Sequence, residues 1–375
     1  MACISRALIV GGGIAGLSSA IALSRIGVAC DVVELKDAPL GASLGISGRA
    51  AEALDALGVY EECFRTSRPF SSGSKVLYQW DAAGKLLSPG PQRVEWPGAK
   101  TALGVYRPDF LQVLGDEARS LGASIRTGIT VRTVDDEASE ARVTFTDGGE
   151  SSYDLVIGAD GLNSASRARI YPEAKKPAYS GQLSIRWMAP GPAIEGEGWY
   201  HGNVGRIGFY YVPQGLIYVA SVISTSDPSV LEKDEVHALF SRLLDSYTAE
   251  PIAELRRRLT PDAALICNSY FWTLLPAPWH RGRTLLIGDA AHATTSHMGM
   301  GGGMALEDSV VLAECLKSAA TLDDALAAFM TRRFERVRTV VESSVAAARL
   351  ELANAPQPEK AALLTTALKA ISQPY

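Results

Sequence analysis

The sequence predicts an α/β fold: a Rossmann-like nucleotide-binding domain interleaved with a β-rich second domain and followed by a long C-terminal helix. Three observations carry this. A strand, a glycine turn and a helix open the chain, strand-to-turn units recur near residues 154–167 and 284–303, and a run of alternating strands lies between them. The length of 375 residues suits one large domain or two interleaved ones. With 47% hydrophobic and 21% charged residues, the composition excludes disorder over most of the chain. The net charge of −5 leaves no basic surplus for a phosphate backbone or an anionic membrane, so neither nucleic acid nor membrane is an expected partner. Cys3, Cys30, Cys63, Cys267 and Cys315 are scattered without a C-x-x-C pair, which fits no disulfide framework or zinc site and points to a reducing, cytoplasmic compartment. The apolar opening from Ile4 to Leu23 is broken by glycines and lacks the flanks of a signal peptide.

Ser5 to Val10 reads as a β-branched and aliphatic strand, and Leu17 to Ile26 has apolar residues at helical spacing. Val28 to Glu34 is a second buried strand, which completes a βαβ unit of the expected length. A helix follows over Ser47 to Leu57. Lys75 to Trp80 and Lys85 to Leu87 read as strands about the turn Asp81-Ala82-Ala83-Gly84. Phe110, Val113, Leu114 and Ala118 mark a helix, and short strands are predicted at 124–126, 130–134, 142–146 and 153–157. Asp136 to Glu140 reads as a solvated acidic turn.

Between Ser180 and Ile223 the pattern alternates, with strands over Gln182 to Met188, Gly208 to Val212 and Leu216 to Val222, the last two joined by Pro213-Gln214-Gly215. Helices over Asp234 to Tyr247 and Pro251 to Leu259 precede a strand at Thr284 to Ile287. Thr321 to Asp324 forms a capping box for the C-terminal helix, whose apolar face carries Leu326, Phe329, Phe334, Val337 and Val341. Arg332, Arg333, Arg336 and Arg338 read as its solvated face, and the tail beyond Pro356 is expected to be loosely held.

Gly11, Gly13 and Gly16 satisfy G-x-G-x-x-G between a strand and a helix. Missing side chains there permit a tight turn, backbone approach to a pyrophosphate and close helix packing. The helix N-terminus offers free N–H groups to anionic oxygens, and Glu34 at the end of the next strand is placed to accept from ribose hydroxyls. An acid there disfavours a 2′-phosphate, so the bound dinucleotide is not NADP. The second turn runs Asp160-Gly161-Leu162-Asn163-Ser164 to Arg167. The third runs Gly288-Asp289-Ala290-Ala291-His292, then His297-Met298-Gly299-Met300-Gly301-Gly302-Gly303 into a helix, a second corner suited to negative charge.

Together, in this order and spacing, the three motifs G-x-G-x-x-G, D-G-x-x-S-x-x-R and G-D-A-x-H resemble those of the flavoprotein monooxygenases of the p-hydroxybenzoate hydroxylase type, over nearly the whole chain. The resemblance implies an FAD-binding domain over residues 1–70, 98–178 and 270–375 and a substrate domain over 71–97 and 179–269. It implies that Gly11, Gly13, Ala15 and Gly16 face the FAD pyrophosphate and Glu34 the adenosine ribose. Arg107 then matches an arginine on the phosphate and ribityl region, Val131 a backbone site beside adenine, and Asp289 a ribityl partner. N–H groups of Gly299, Gly301 and Gly302 would surround the flavin N1–C2=O edge, and Asp160 and Arg167 act indirectly. The implied activity is hydroxylation of a small aromatic or heteroaromatic substrate by a monomer or homodimer. NADH or NADPH reduces the flavin, O2 adds at its C4a carbon, and the hydroperoxide transfers OH. A dehydrogenase or halogenase on the same fold and a non-catalytic flavin protein are the alternatives; a halogenase W-x-W-x-I-P segment is not matched by Trp272-Thr273-Leu274-Leu275-Pro276.

Departures from the family concern the substrate. Met300 and Gly303 stand where glutamine and asparagine are common, and the acid-base apparatus cannot be copied because a family loop histidine corresponds to Gly45. His297, expected beside a cavity, suits proton transfer or phenolate binding. His292 reads as a hydrogen-bonder that fixes the loop. Of Tyr210 and Tyr211, adjacent on one strand, only one can line a pocket, and Tyr211 is the candidate. Arg186 fits either a substrate carboxylate anchor or a surface salt bridge. Trp80 and Trp187 read as core residues.

Overall fold

The computed structural model describes residues 2–36, 41–70, 78–89, 100–212 and 215–375. The part of the predicted strand 75–80 before Tyr78, and the turn residues Pro213 and Gln214, lie outside the described residues. In chain order, β1 (Arg6–Val10), α1 (Ile14–Arg25) and β2 (Ala29–Glu34) form the predicted βαβ unit, followed by β3 (Ser43–Ile46), α2 (Arg49–Ala56), α3 (Tyr60–Thr66) and β4 (Arg68–Phe70). Next come β5 (Tyr78–Asp81), β6 (Leu86–Pro89), β7 (Ala102–Tyr106), α4 (Arg107–Ser120), β8 (Ser124–Thr127), β9 (Val131–Asp136), β10 (Ala141–Phe145), β11 (Glu150–Tyr153), β12 (Leu155–Gly158) and α5 (Ala165–Ile170). The alternating region gives β13 (Ala178–Pro190), β14 (Gly198–His201), β15 (Gly205–Val212), β16 (Leu216–Ser224), α6 (Lys233–Asp245), α7 (Glu250–Arg258) and β17 (Leu265–Trp272). The chain then runs through β18 (His280–Arg281), β19 (Thr284–Leu286), α8 (Asp289–His292), α9 (Gly301–Ser318), α10 (Leu322–Leu352) and α11 (Gln357–Ala370).

A six-stranded sheet has the order β18-β19-β12-β1-β2-β8, with β1 parallel to both β2 and β12. Its residues alternate between two cores. Ala7, Ile9, Val32 and Ile157 pack under α1, α4 and α9, whereas Leu8, Val10, Val33 and Val156 pack against the small β11-β10-β9 sheet. Both faces are therefore covered, as a largely parallel sheet requires. A seven-stranded sheet, β17-β13-β16-β15-β14-β5-β6, packs Leu183, Ile185, Trp187 and Phe209 against α6 and α7. A short β3-β7-β4 sheet carries the chain into α4. Among the described residues no helix is long and apolar enough to cross a membrane.

At 31 residues α10 spans about 46 Å. Its cap is only half the predicted box. The Asp324 backbone N–H donates to Thr321 Oγ1 at 3.2 Å, but the Asp324 carboxylate accepts from that hydroxyl instead of the Thr321 backbone. The arginines expected on its solvated face divide. Arg338 is exposed beside Glu335, but Arg333 is 0% exposed, donating from Nε to Asp308 at 2.8 Å and from Nη1 to Glu307 at 2.7 Å. Arg336 grips Glu307 with two more bonds and donates to the Gln373 carbonyl at 2.9 Å. The tail is accordingly pinned, also by Arg332 to the Tyr375 carbonyl at 2.8 Å and Arg49 to the Ser372 carbonyl at 2.8 Å. Backbone carbonyls, invisible to a reading of residue types, hold it.

Removing the cation between two buried carboxylates leaves charge uncompensated. Arg333→Met is expected to lower stability by about 3–5 kcal/mol, and Arg338→Met by about 0.5 kcal/mol or less, in urea unfolding. Equal effects would contradict the buried network.

Candidate cofactor and substrate cleft

Each glycine of the first turn has its own reason. Gly11 adopts φ +115°, and a Cβ there would lie 2.3 Å from the Ala159 carbonyl oxygen; a Cβ at Gly16 would lie 1.8 Å from the Gly11 oxygen. These two are required by packing. A Cβ at Gly13 meets nothing within 4 Å, so the space before α1 is open. Gly13 is also the N-cap of α1 and supplies no side-chain acceptor, which leaves the first N–H groups of the helix unbound by a cap. The start of α9 repeats this arrangement, capped by no side chain and with no acid in its first turn.

The two helices start side by side. A Cβ at Gly302 would meet Ile14 at 3.5 Å, one at Gly288 would meet Ala15 at 2.9 Å, and the Ser18 and Ser309 hydroxyls are 2.7 Å apart. Their positive ends thus face one region. Gly299 has φ +66°, and a Cβ on Gly301 or Gly302 makes only ordinary protein contact, so protein packing does not demand glycine at 301 and 302.

The other two turns are wired to the first. Asp160 accepts from the Ser166 N–H at 2.8 Å and from the Ser164 hydroxyl, fixing the start of α5. Arg167 donates to the Leu162 carbonyl at 2.6 Å and across to the Ala290 carbonyl at 2.9 Å. Asp308 accepts from the Gly288 N–H at 3.1 Å and from His292 Nε2 at 2.7 Å, while Arg333 holds its other oxygen. Burial alone would raise the Asp308 carboxyl, but His292 and Arg333 outweigh it and keep it depressed. His292 is therefore a loop-fixing residue.

Asp289, next in the chain, is exposed to solvent although protein surrounds it; such a side chain lies on the floor of a deep cleft, and desolvation pushes its carboxyl up against the pull of His292 and Arg107. Among the described residues no hydrogen-bond donor reaches it. Arg107 is lowered by burial and feels Asp289, Arg186 and Glu34, so these three charged groups lie near it. Glu34 Oε2 accepts from the Gly12 N–H at 2.7 Å and Oε1 from the Lys36 N–H at 2.9 Å, which tie it to the glycine turn. The Val131 carbonyl accepts from Arg169. Positive helix ends, a guanidinium, an open carboxylate and glycine-lined space form a donor set that fits an extended FAD molecule.

Across the cleft, Arg186 and Met188 sit on the face of β13 opposite the α6–α7 core, with Tyr210, Tyr218, Ala220 and Ile266. The Tyr210 and Tyr218 rings meet at 5.0 Å. No acceptor lies within hydrogen-bond distance of the Arg186 guanidinium among the described residues. Two sequence expectations are corrected. Tyr211 packs against the α6–α7 core, and Tyr210 is the one that turns toward Arg186. The His297 side chain is 2% exposed and does not border an open cavity: its Nδ1 lies 3.0 Å from Thr295 Oγ1 and its Nε2 3.7 Å from Glu351. Burial, helped by Arg206, lowers it to about 3, so it is neutral. Glu351 and Arg206 were not singled out from the sequence, where an acid at a helix end and an arginine in a strand carry no signal.

Residues 5–344 match the FAD binding domain family. The chain is 32% identical over 347 residues to the aurachin C monooxygenase/isomerase of Stigmatella aurantiaca, covering 90% of this chain and 87% of that protein. It is 31% identical over 355 residues to the 2-heptyl-3-hydroxy-4(1H)-quinolone synthase of Pseudomonas aeruginosa, covering 92% and 88%. The fold matches that of Klebsiella pneumoniae HpxO complexed with FAD and uric acid, with a TM-score of 0.83 and 24% identity over 99% of this chain and 97% of that one.

Asp289→Ala is expected to weaken FAD binding about tenfold or more in a fluorescence titration of the apoprotein; unchanged affinity would contradict its place on the cleft floor. A second expectation concerns acid. Burial lowers His201 to about 4 and His297 to about 3, both from 6.5. Below pH 6.5 the unfolded chain binds protons that the folded one refuses, so stability falls as pH drops toward 4, by up to about 1.4 kcal/mol per pH unit for each histidine. Thermal midpoints of the wild type and of His201→Asn/His297→Asn check this: the variant's profile should be flatter over that range, and parallel profiles would contradict it.

Proposed function

This chain belongs to the FAD binding domain family and is an FAD-dependent monooxygenase, and we propose that it hydroxylates a planar heteroaromatic ring whose acidic or carbonyl oxygen is held by Arg186. The observation that carries this reading is the Arg186 guanidinium, half-buried, without an acceptor among the described residues, and bordered by Tyr210, Tyr218, Met188 and Ile266. A half-buried guanidinium without an acceptor is well placed to take a ligand oxygen. The aromatic and aliphatic neighbours suit a flat ring and exclude water. The relative named for a 4(1H)-quinolone favours a bicyclic nitrogen heterocycle carrying a carbonyl.

When bound, FAD takes two electrons from NADH or NADPH and activates O2, one oxygen atom going to the substrate and the other to water. The chain supplies the setting. Gly11, Gly13, Ala15 and Gly16 admit the pyrophosphate to the start of α1, with Arg107 as counter-charge. Glu34 and Val131 attend the adenosine end, Asp289 accepts from a ribityl hydroxyl, and N–H groups at Gly299, Gly301 and Gly302 hold the N1–C2=O edge, where the positive end of α9 favours negative charge on the ring. Asp160 acts indirectly, through the Ser164 and Ser166 contacts that fix its turn. In this reading residues 1–70, 98–178 and 270–375 bind FAD, residues 71–97 and 179–269 bind substrate, and Tyr210 takes the role expected of Tyr211. Five cysteines without a disulfide among them suit the cytoplasm, and a monomer or homodimer needs no further partner.

The test is a panel of quinolones, hydroxyquinolines, hydroxypyridines and phenols scored for stimulated NADH and NADPH oxidation, with products weighed by mass spectrometry. A heterocycle gaining one oxygen atom is expected. Arg186→Met should raise KM about tenfold to a hundredfold, the range of a lost charged hydrogen bond, while FAD affinity holds. Cofactor oxidation without an oxygenated product, or an unchanged KM, would contradict the proposal.

A further inference from the structure

Beyond the cleft, one buried carboxylate joins parts of the chain far apart in sequence. Glu351 stands at the last turn of α10 with its side chain 16% exposed. Its Oε1 accepts from Arg206 Nε of β15 at 2.8 Å and from Gln182 Nε2 of β13 at 3.4 Å. Its Oε2 accepts from Lys360 Nζ of α11 at 2.9 Å and lies 3.7 Å from His297 Nε2, in the loop between α8 and α9. Burial alone would raise this carboxyl, yet Arg206 and Lys360 hold it at about 2, so it is ionised while His297 is neutral. The Trp199 ring lies 4.1 Å from the Arg206 guanidinium. His201 of β14 adds a neutral imidazole, with Gln357 of α11 at 3.4 Å and Gln79 of β5 at 2.6 Å. Within this cluster His297 Nε2 and Gln182 Oε1 are buried without a hydrogen-bond partner.

Such a cluster is a poor way to gain stability, because desolvating charges costs about as much as pairing them returns, and well-packed apolar residues do as well. Its geometric effect is distinctive. The loop 293–300 leads directly into the start of α9, where the flavin edge is assigned. β13 and β15 carry Arg186 and Tyr210 on the same inner face as Gln182 and Arg206, by strand alternation.

We propose that Glu351 is a positioning residue that sets the flavin-edge loop, through its 3.7 Å packing contact with His297, at a fixed distance from the substrate-facing sheet, held through Arg206 and Gln182, with α11 as the third support through Lys360. Oxygen transfer tolerates little misplacement between flavin and ring, so this spacing bears on the rate more than on cofactor affinity. The inference rests on the flavin assignment above but not on the identity of the substrate.

The test uses full-length holoprotein carrying Glu351→Gln, Glu351→Asp, His297→Ala, Lys360→Met, or Glu351→Gln with His297→Ala. Glu351→Gln is expected to keep FAD affinity within about threefold, displace the visible absorption bands of bound FAD, and lower kcat about tenfold or more with KM little changed. Glu351→Asp should restore part of the loss. The double variant should lose less than the two single losses combined, since part of the Glu351 effect passes through His297. Lys360→Met, which leaves the carboxylate in place, should move the spectrum and kcat the same way by a smaller factor, and it carries the test if Glu351→Gln does not fold. Wild-type bands and kcat in the folded variants, additive losses in the double variant, or loss of FAD from every folded variant would overturn the proposal. A wild type that binds FAD but oxygenates no compound in the panel overturns the substrate reading alone, because the spectral comparison still decides the role of Glu351.

Discussion

Two helices that begin side by side without caps are the constraint on which the rest depends. Free N–H groups at α1 and α9 create a concentrated positive potential that no side-chain cap answers. Keeping two such ends adjacent requires close packing, and the sequence meets this with small residues: Ala15 against Gly288, and the serine contact between the helices. It also requires a rigid third element. Buried Arg333 of α10 supplies it by holding Asp308 and Glu307, and through Asp308 the Gly288 turn.

Charge arrangement follows from the same geometry. Asp289 projects into the cleft while the neighbouring Asp308 is neutralised from three sides, so two acids 19 residues apart in one motif region take opposite roles. On the opposite wall, strand alternation sends the large apolar residues to the α6–α7 core and leaves Arg186 and Tyr210 facing inward. One wall is built of turns and helix ends, and the other of a sheet.

Part of the first wall was legible in the sequence because Gly11 and Gly16 answer steric demands that no other residue meets. The β-rich region was legible as a class, but β14 and β17 were missed and β13 was read too short, since half-buried residues there blur the apolar alternation. Parity told that Tyr210 and Tyr211 face opposite ways; which face meets the cleft is decided by where α6 and α7 pack, a contact made far along the chain. Arg333 was misread because a helical arginine among other arginines looks solvated until its carboxylates are placed beside it. His297 reads as a cavity residue, but its side chain packs inward, 3.7 Å from a glutamate more than fifty positions later, a contact that residue types in sequence do not show.

Hydrogen–deuterium exchange of the apoprotein with and without FAD tests this account most directly. One FAD per chain should slow exchange together in residues 11–17, in residues 104–110 around Arg107 and in residues 299–305. Protection confined to the first of these segments would mean that the distant turns do not share a ligand, and the single cleft described here would not exist.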